Sequence, residues 1–319
     1  MPNPGTQQRP LRVAIIGSGP AGFYTVSNFL KHEDLSVQID MYERLPTPFG
    51  LVRAGVAPDH QKYKTVTRGY HKSTALAAFR FFGNVEYGKH VTLEDLRRHY
   101  HQVIFATGAQ SDRALDIPGE DLEGSHSATD FVAWYNGHPD YADREFDLSC
   151  DAAAIIGLGN VAVDVARILC KSAAELGETD IADYALEALA HSAVKTVYIL
   201  GRRGPAQAAF TPPEIREMGD LADADVHVPA AEAALDALSL EALAASGDKN
   251  AAKNVEVIQS FAEWEAQGRD KQLIIRFLVS PVELISDGAG RVAAIRIVRN
   301  ETYRDEAGRI RARSTGEFE

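Results

Sequence analysis

Two glycine-rich hexapeptides carry residue types and spacings suited to chemistry: Gly17-Ser18-Gly19-Pro20-Ala21-Gly22 and Gly157-Leu158-Gly159-Asn160-Val161-Ala162. In such a turn the first glycine permits a tight reversal. The second lets the backbone approach a pyrophosphate, and the third position lets a helix pack closely on a strand. The N-terminus of the following helix then faces the phosphates. Glu43 lies about twenty positions beyond Gly22, where a carboxylate bonds ribose hydroxyls. The second motif has no acid at the equivalent strand tip. Arg202-Arg203 stands there instead, directly after VKTVYIL. A 2′-phosphate is a dianion, and guanidinium forks donate paired hydrogen bonds to it, so this tip reads as NADP rather than NAD. Glu214 follows further along. It fixes the arginine pair or a ribose hydroxyl, or else is a surface helix charge.

These groups need elements to hold them. LRVAIIG (11–17) is a short apolar, β-branched run entering the first glycine turn, Ala21 to Lys31 has helical character, and VQIDMYE (37–43) reads as a second strand. QVIFATG (102–108) is another buried strand ending in glycine. A second cycle runs through AAAIIG (152–157), NVAVDVARILCK (160–171), a helix in IADYALEALAHS (181–192) and VKTVYIL (194–200). The fold class is therefore α/β, with two dinucleotide-binding, Rossmann-like domains: residues 1–112, and residues 113–319 including a β-meander. Residues 1–10 read as a loose tail. Residues 228–254 read as surface helix plus polar linker, and QLIIRFL, PVELIS and RVAAIRIV as an antiparallel meander with a DG turn at Asp287-Gly288.

Composition narrows the class. The chain has 319 residues, 45% hydrophobic and 24% charged, with a formal net charge of −12. That balance argues against a general nucleic-acid binder, which needs surplus Lys and Arg. Two cysteines, Cys150 and Cys170, are too few for a disulfide scaffold and form no CxxC pair, so a dithiol relay in this chain is excluded. No run approaches the roughly 20 apolar residues of a membrane span, and no apolar signal core opens the sequence. A cytoplasmic location is the expectation. No clustered His/Cys spacing suggests a metal.

The segment YERLPTPFGLVRAGVAPDH (42–60) resembles the signature of adrenodoxin-reductase-like ferredoxin–NADP⁺ reductases. AGFYTVSNFLKH, FFGNVEYGK, IPGEDL, WYNGHP, GNVAVDVARIL and GRRGPAQAAFTPPEIREM match as well, and the likeness runs from residue 11 to about 220. The turn Ala106-Thr107-Gly108 is also similar to one that recurs in two-dinucleotide flavoproteins, which favours FAD for the first motif. The resemblance implies FAD contacts at Ala21, Glu43, Leu51 and the backbone near Tyr87, where a tyrosine replaces a small apolar residue. It implies NADP contacts at Leu158 to Val161, Arg202, Arg203 and Glu214. His60 and Asp164 match positions near the flavin–nicotinamide junction; otherwise His60 makes a structural loop bond and Asp164 is a helix-surface carboxylate. Lys31 and His32 match a docking face for an acidic iron–sulfur protein, or are a solvated helix end.

The implied reaction is hydride transfer from NADPH to FAD, then release of single electrons to a ferredoxin-type iron–sulfur protein. It requires nicotinamide C4 within about 3–3.5 Å of flavin N5. Family members continue for about a hundred residues more, through a GW…GP.GVIGTN-like segment that closes the flavin site. ARSTGEFE reads as the return toward the flavin domain, so the expectation is an incomplete FAD domain with an uncovered sheet edge and weak FAD binding. The chain is then a partial product, a natural variant with a remodelled flavin site, or a catalytically incomplete NADP-binding fragment. A further alternative is the NADPH-oxidising subunit of a larger complex, although such subunits carry N-terminal Cys clusters absent here.

Overall fold

The computed structural model describes residues 3–109 and 112–319. They group into two compact units, residues 3–109 with 136–139 and residues 112–135 with 140–319.

The first unit runs β1 (Leu11–Ile16), α1 (Pro20–Leu30), β2 (Val37–Tyr42), α2 (Leu51–Ala54), α3 (Gln61–Lys64), α4 (Thr67–Thr74), β3 (Phe79–Phe82), α5 (Leu93–His99) and β4 (Gln102–Phe105). Its four strands form a parallel sheet in the order β3-β2-β1-β4. β1 is central, and Val13, Ala14 and Ile15 are fully buried, as a parallel strand covered on both faces requires. Proline at N1 starts α1, where its missing N–H costs nothing. Phe23 and Val26 turn that helix onto the sheet, and Phe23 stacks on Tyr70 of α4 at 4.6 Å. The loose tail is partly corrected. Its first two residues lie outside the described residues, but Thr6 bridges Arg9 and Ser36 N donates to Gly5 O at 2.8 Å, which ties residues 5–9 to the turn before β2.

The second unit runs α6 (Ala128–Tyr135), β5 (Ala152–Ile156), α7 (Asn160–Cys170), α8 (Ala173–Gly177), α9 (Asp183–Ala190), β6 (Thr196–Gly201), α10 (Pro212–Glu217), β7 (Ala224–His227), α11 (Ala230–Ala233), α12 (Ala237–Ser246), α13 (Lys249–Glu263), β8 (Lys271–Phe277), β9 (Val279–Ser286), β10 (Val292–Arg304) and β11 (Ile310–Phe318). A parallel sheet has the order β5-β6-β8-β7, and a separate antiparallel sheet the order β11-β10-β9. α7 buries Ala162 to Cys170 against the parallel sheet.

Four expectations for this unit change. QLIIRFL is not a meander strand: β8 pairs in parallel with β6 and β7. The polar linker ending at residue 254 is the start of α13, capped by Asp248, which accepts from Asn250 N and Ala251 N and leads into buried Val255, Ile258 and Phe261. That helix supplies the crossover that a parallel β7–β8 pair needs. ARSTGEFE is strand, since β11 completes the antiparallel sheet against β10. The DG turn is a longer loop, in which Asp287 Oδ1 accepts from Ala289 N and Arg291 N and both Gly288 and Gly290 take positive φ. No described helix is long and apolar enough to cross a membrane.

Candidate functional site

The first cradle is assembled where β1 meets α1. Gly17 sits at φ 102, and a Cβ there would collide with the Ala106 carbonyl of the turn after β4. A Cβ on Gly22 would meet Gly17 O at 2.5 Å, so this glycine sets how closely helix packs on strand. Gly19 differs: it caps α1 in extended conformation, and nothing lies within 4 Å of where its Cβ would point. No side chain caps α1. Open space, first-turn N–H groups and the positive end of a helix together suit a pyrophosphate. Pro20 and Ala21 form the first helical residues beside that space, with Ala21 exposed.

Glu43 stands just past β2 and is held on both oxygens. Ser18 donates to Oε2 from its backbone N at 3.0 Å and its hydroxyl at 2.6 Å, and Leu45 N donates to Oε1 at 3.0 Å. The carboxylate is thus fixed in one orientation and half-buried, with lone pairs left for ribose hydroxyls. Ser18, fully buried, was not singled out from the sequence, although its place inside the glycine motif was a usable signal. A third wall comes from Phe49 and Gly50. Phe49 takes φ 95 and donates N–H to Ser18 O at 3.0 Å, and a Cβ on Gly50 would come within 2.8 Å of Gly19 Cα. The strain at Phe49 is held by packing, because its ring lies against Phe23, Tyr70 and His71. Leu51 opens α2 with 60% of its surface exposed.

Tyr87 meets Phe105 edge-on at 4.9 Å, and both rings are exposed beside Thr107 and Gly108, the latter at φ 71. His60 is buried at the start of α3, with its ring edge-on to Tyr63 at 5.3 Å and Tyr63 N bonded to its carbonyl. Lys31 and His32 end α1, exposed and followed directly by the exposed carboxylates Glu33 and Asp34.

The second cradle repeats the turn with looser walls. Gly157 has φ 129, Gly159 caps α7 without a side-chain bond, and nothing lies within 4 Å of a Cβ on either. Asn160 Oδ1 accepts from Thr211 N at 2.9 Å and Leu158 O from Ala209 N at 2.8 Å, which clamp the turn to the segment before α10. Leu158 lies over Gly201, where any Cβ would strike its side chain. Val161 is 49% exposed on the first turn of α7. Beyond β6, Arg202 is exposed and Arg203 half-buried. Neither is ion-paired among the described residues. Burial, then the like charges of Arg202 and Arg311, hold the Arg203 guanidinium below its ordinary value. Arg311 is bonded to Asp305, whereas Arg202 and Arg203 have no carboxylate partner among the described residues, and an anion beside them relieves that repulsion. Arg311, far along the chain on β11, had no local signal.

Asp164 and Glu214 are brought together by a residue the sequence reading passed over. Arg167, 2% exposed, donates Nη2–H to Asp164 Oδ1 at 2.7 Å and lies 3.7 Å from Glu214 and 3.6 Å from Glu217 through Nη1. Two readings are corrected. Asp164 is not a helix-surface carboxylate, because Arg167 holds it within the unit. Glu214 is not a surface charge, because it is buried at 4% exposure beside the same guanidinium. The i, i+3 spacing of Asp164 and Arg167 was the available signal.

Comparison with known proteins agrees with this geometry. A family model described as pyridine nucleotide-disulphide oxidoreductase matches residues 11–218. The chain is 48% identical over 315 residues to the NADPH-ferredoxin reductase FprA of Mycobacterium tuberculosis, covering 98% of this chain and 68% of that protein. It is 44% identical over 313 residues to the mitochondrial NADPH:adrenodoxin oxidoreductase of Salvelinus fontinalis, covering 97% of this chain and 62% of that one. The solved structure of Mycobacterium tuberculosis FprA in complex with NADPH superposes with a TM-score of 0.92 at 48% identity, again covering 98% of this chain and 68% of that one.

Proposed function

The chain belongs to the adrenodoxin-reductase-like NADPH–ferredoxin reductases, a branch of the pyridine nucleotide-disulphide oxidoreductases, and on that premise we propose that it passes electrons from NADPH through FAD to a ferredoxin-type iron–sulfur protein. The observation that carries the reading is the Arg202–Arg203 pair, two guanidinium groups without a carboxylate partner at the tip of the strand that follows a glycine cradle. The first unit is the FAD domain. Gly17, Gly19 and Gly22 keep the turn clear for the pyrophosphate, and the N-terminus of α1 compensates its charge. Glu43, oriented by Ser18, binds adenosine ribose. Tyr87 and Ala106 to Gly108 border the dinucleotide, with the Tyr87 ring beside Phe105 as an apolar wall.

The second unit holds NADPH. Gly157 to Val161 receive its pyrophosphate, Arg202 and Arg203 its 2′-phosphate, and Glu214 its ribose side. When bound, FAD supplies the conversion from two-electron to one-electron transfer. His60 and Asp164 serve the reacting end. His60 offers an imidazole able to donate or accept a hydrogen bond, and Asp164 is held in one orientation by Arg167.

The test is a purified chain assayed for bound flavin, for flavin bleaching on anaerobic mixing with NADPH or NADH, and for reduction of an acidic ferredoxin. Bleaching by NADPH alone, with ferredoxin reduction, is expected. A preparation that binds NADPH yet never carries flavin would reject catalysis and leave the NADP-binding alternative.

A further inference from the structure

We propose that Asn300 is a positioning residue for nucleotide selection, fixing the backbone of Arg202 and Arg203 so that their guanidinium groups are presented to a 2′-phosphate, an inference that rests on the assignment of that pair proposed above. Asn300 lies on β10, 98 positions from Arg202, and is 9% exposed. Its Nδ2 donates to Arg202 O at 3.0 Å and to Ser280 Oγ at 2.8 Å. Its backbone N donates to Leu278 O at 2.7 Å, and Leu278 N donates in turn to Arg203 O at 3.2 Å. Two successive carbonyls of the strand tip are thus held from one residue, the first directly and the second through Leu278.

Those carbonyls belong to the planar peptide units on either side of the Arg203 Cα. Holding both planes fixes φ and ψ of Arg203, and with them the direction in which its side chain leaves the backbone. The bond to Arg202 O restrains ψ of Arg202 in the same way. A guanidinium fork meets a phosphate through paired, directional hydrogen bonds, so a swing at the root of the side chain is felt at the anion. A fixed root also leaves less conformational freedom to be lost when the anion binds.

The surrounding backbone is shaped around these bonds. Leu278 is the single residue between β8 and β9, which belong to different sheets, and it takes φ 55, a left-handed conformation that a Cβ disfavours. In that conformation its N–H reaches Arg203 and its carbonyl reaches Asn300. Asn300 stands where the β10–β11 register shifts, since Val298 faces Phe318 whereas Asn300 faces Ser314. Irregularities of this kind re-aim a side chain beside a site. A staple between the two sheets would be the plainer role, but apolar contact already supplies one. Leu200, Val279 and Ile297 are buried together, with Tyr198 and Ile295 packed against them, which joins β6 to β9 and β10. The Asn300 carboxamide acts on the first residue past the end of β6, where the arginine pair begins.

The test is titration calorimetry of NADPH and of NADH into the full chain and its variants. Asn300→Leu keeps the size of the side chain and deletes its donor. It should weaken NADPH binding about tenfold, as loss of one well-formed hydrogen bond does, while NADH binding stays within about twofold. Asn300→Ala, which cannot overpack the position, should do the same. Ser280→Ala removes the other acceptor of the carboxamide and should leave both affinities unchanged. A role in stability alone would weaken both nucleotides together or neither, so the ratio of NADPH to NADH affinity is the deciding readout. If both Asn300 variants keep the ratio of the unsubstituted chain while Arg202→Gln, Arg203→Gln loses it, the positioning role is overturned and the 2′-phosphate assignment stands. If the arginine variant keeps the ratio as well, the assignment falls and the positioning role falls with it.

Discussion

The two glycine cradles share a backbone plan and differ in what fills it. In the first, two glycines are forced by neighbours: a Cβ on Gly17 would strike Ala106 O, and one on Gly22 would strike Gly17 O. In the second, Gly157 and Gly159 face open space, and Ala162 takes the third position. The strand tips diverge in the same way. Glu43 accepts on both oxygens, from Ser18 and Leu45, whereas Arg202 and Arg203 have no ion pair among the described residues. One tip is a pre-oriented carboxylate, the other a cationic pair without a carboxylate partner among the described residues. On the proposed reading the two glycine motifs mark where each dinucleotide lies, and the residues after the following strand select which one.

Alanine scanning of the glycines breaks the comparison most directly. Gly17→Ala combines positive φ with a backbone collision and should cost about 3–5 kcal/mol, read as a fall in the denaturant midpoint. Gly159→Ala has extended φ and free space. It should leave stability within about 0.5 kcal/mol while weakening NADPH binding about tenfold, through intrusion on the pyrophosphate. Equal stability losses at the two sites would show that the crowding difference is not real.

Arg167→Met should destabilise the second unit by about 3 kcal/mol, because it leaves Asp164 and Glu214 buried without their cation. A midpoint unchanged in urea would mean that solvent, not Arg167, neutralises them.

Alkaline pH separates the units with a smaller effect. Burial pushes the Cys170 thiol up to about 12 in the second unit, and burial beside the Tyr24 ring pushes Tyr70 up to about 12 in the first. Both folded values lie above the unfolded ones of about 8.5 and about 10. Each group therefore stabilises fully below its unfolded value and loses that contribution as pH climbs toward 12. Melting temperatures should fall from about pH 9 onward, and Tyr70→Phe should flatten the part of the fall above pH 10. A Tyr70→Phe profile parallel to the unsubstituted one would count against the buried phenol.

Much of this plan was legible in the chain. The strand, glycine turn, helix and strand-tip residue of each cradle are local in sequence, and the structure places them as read. The parallel pairing of β8 was not legible. Alternating burial of Leu273, Ile275 and Phe277 is the same for parallel and antiparallel partners, and the deciding element, α13, opens with the polar run KNAAKN that resembles a linker. The role of Arg167 was hidden because arginine on a helix is ordinarily solvated, and only the packing of α10 against α7 shows it buried. Arg311 reaches the neighbourhood of Arg203 from more than a hundred residues away, through the strand order β11-β10-β9, which no local spacing encodes.

The central claim is that the unpaired guanidinium groups after β6 select the phosphorylated nucleotide. Titration calorimetry of Arg202→Gln, Arg203→Gln with NADPH and NADH tests it most directly. The account predicts a loss of about 100-fold for NADPH, from two charge-assisted contacts at about 1.5–3 kcal/mol each with partial compensation, and little change for NADH. An undiminished preference for NADPH in that variant would contradict it.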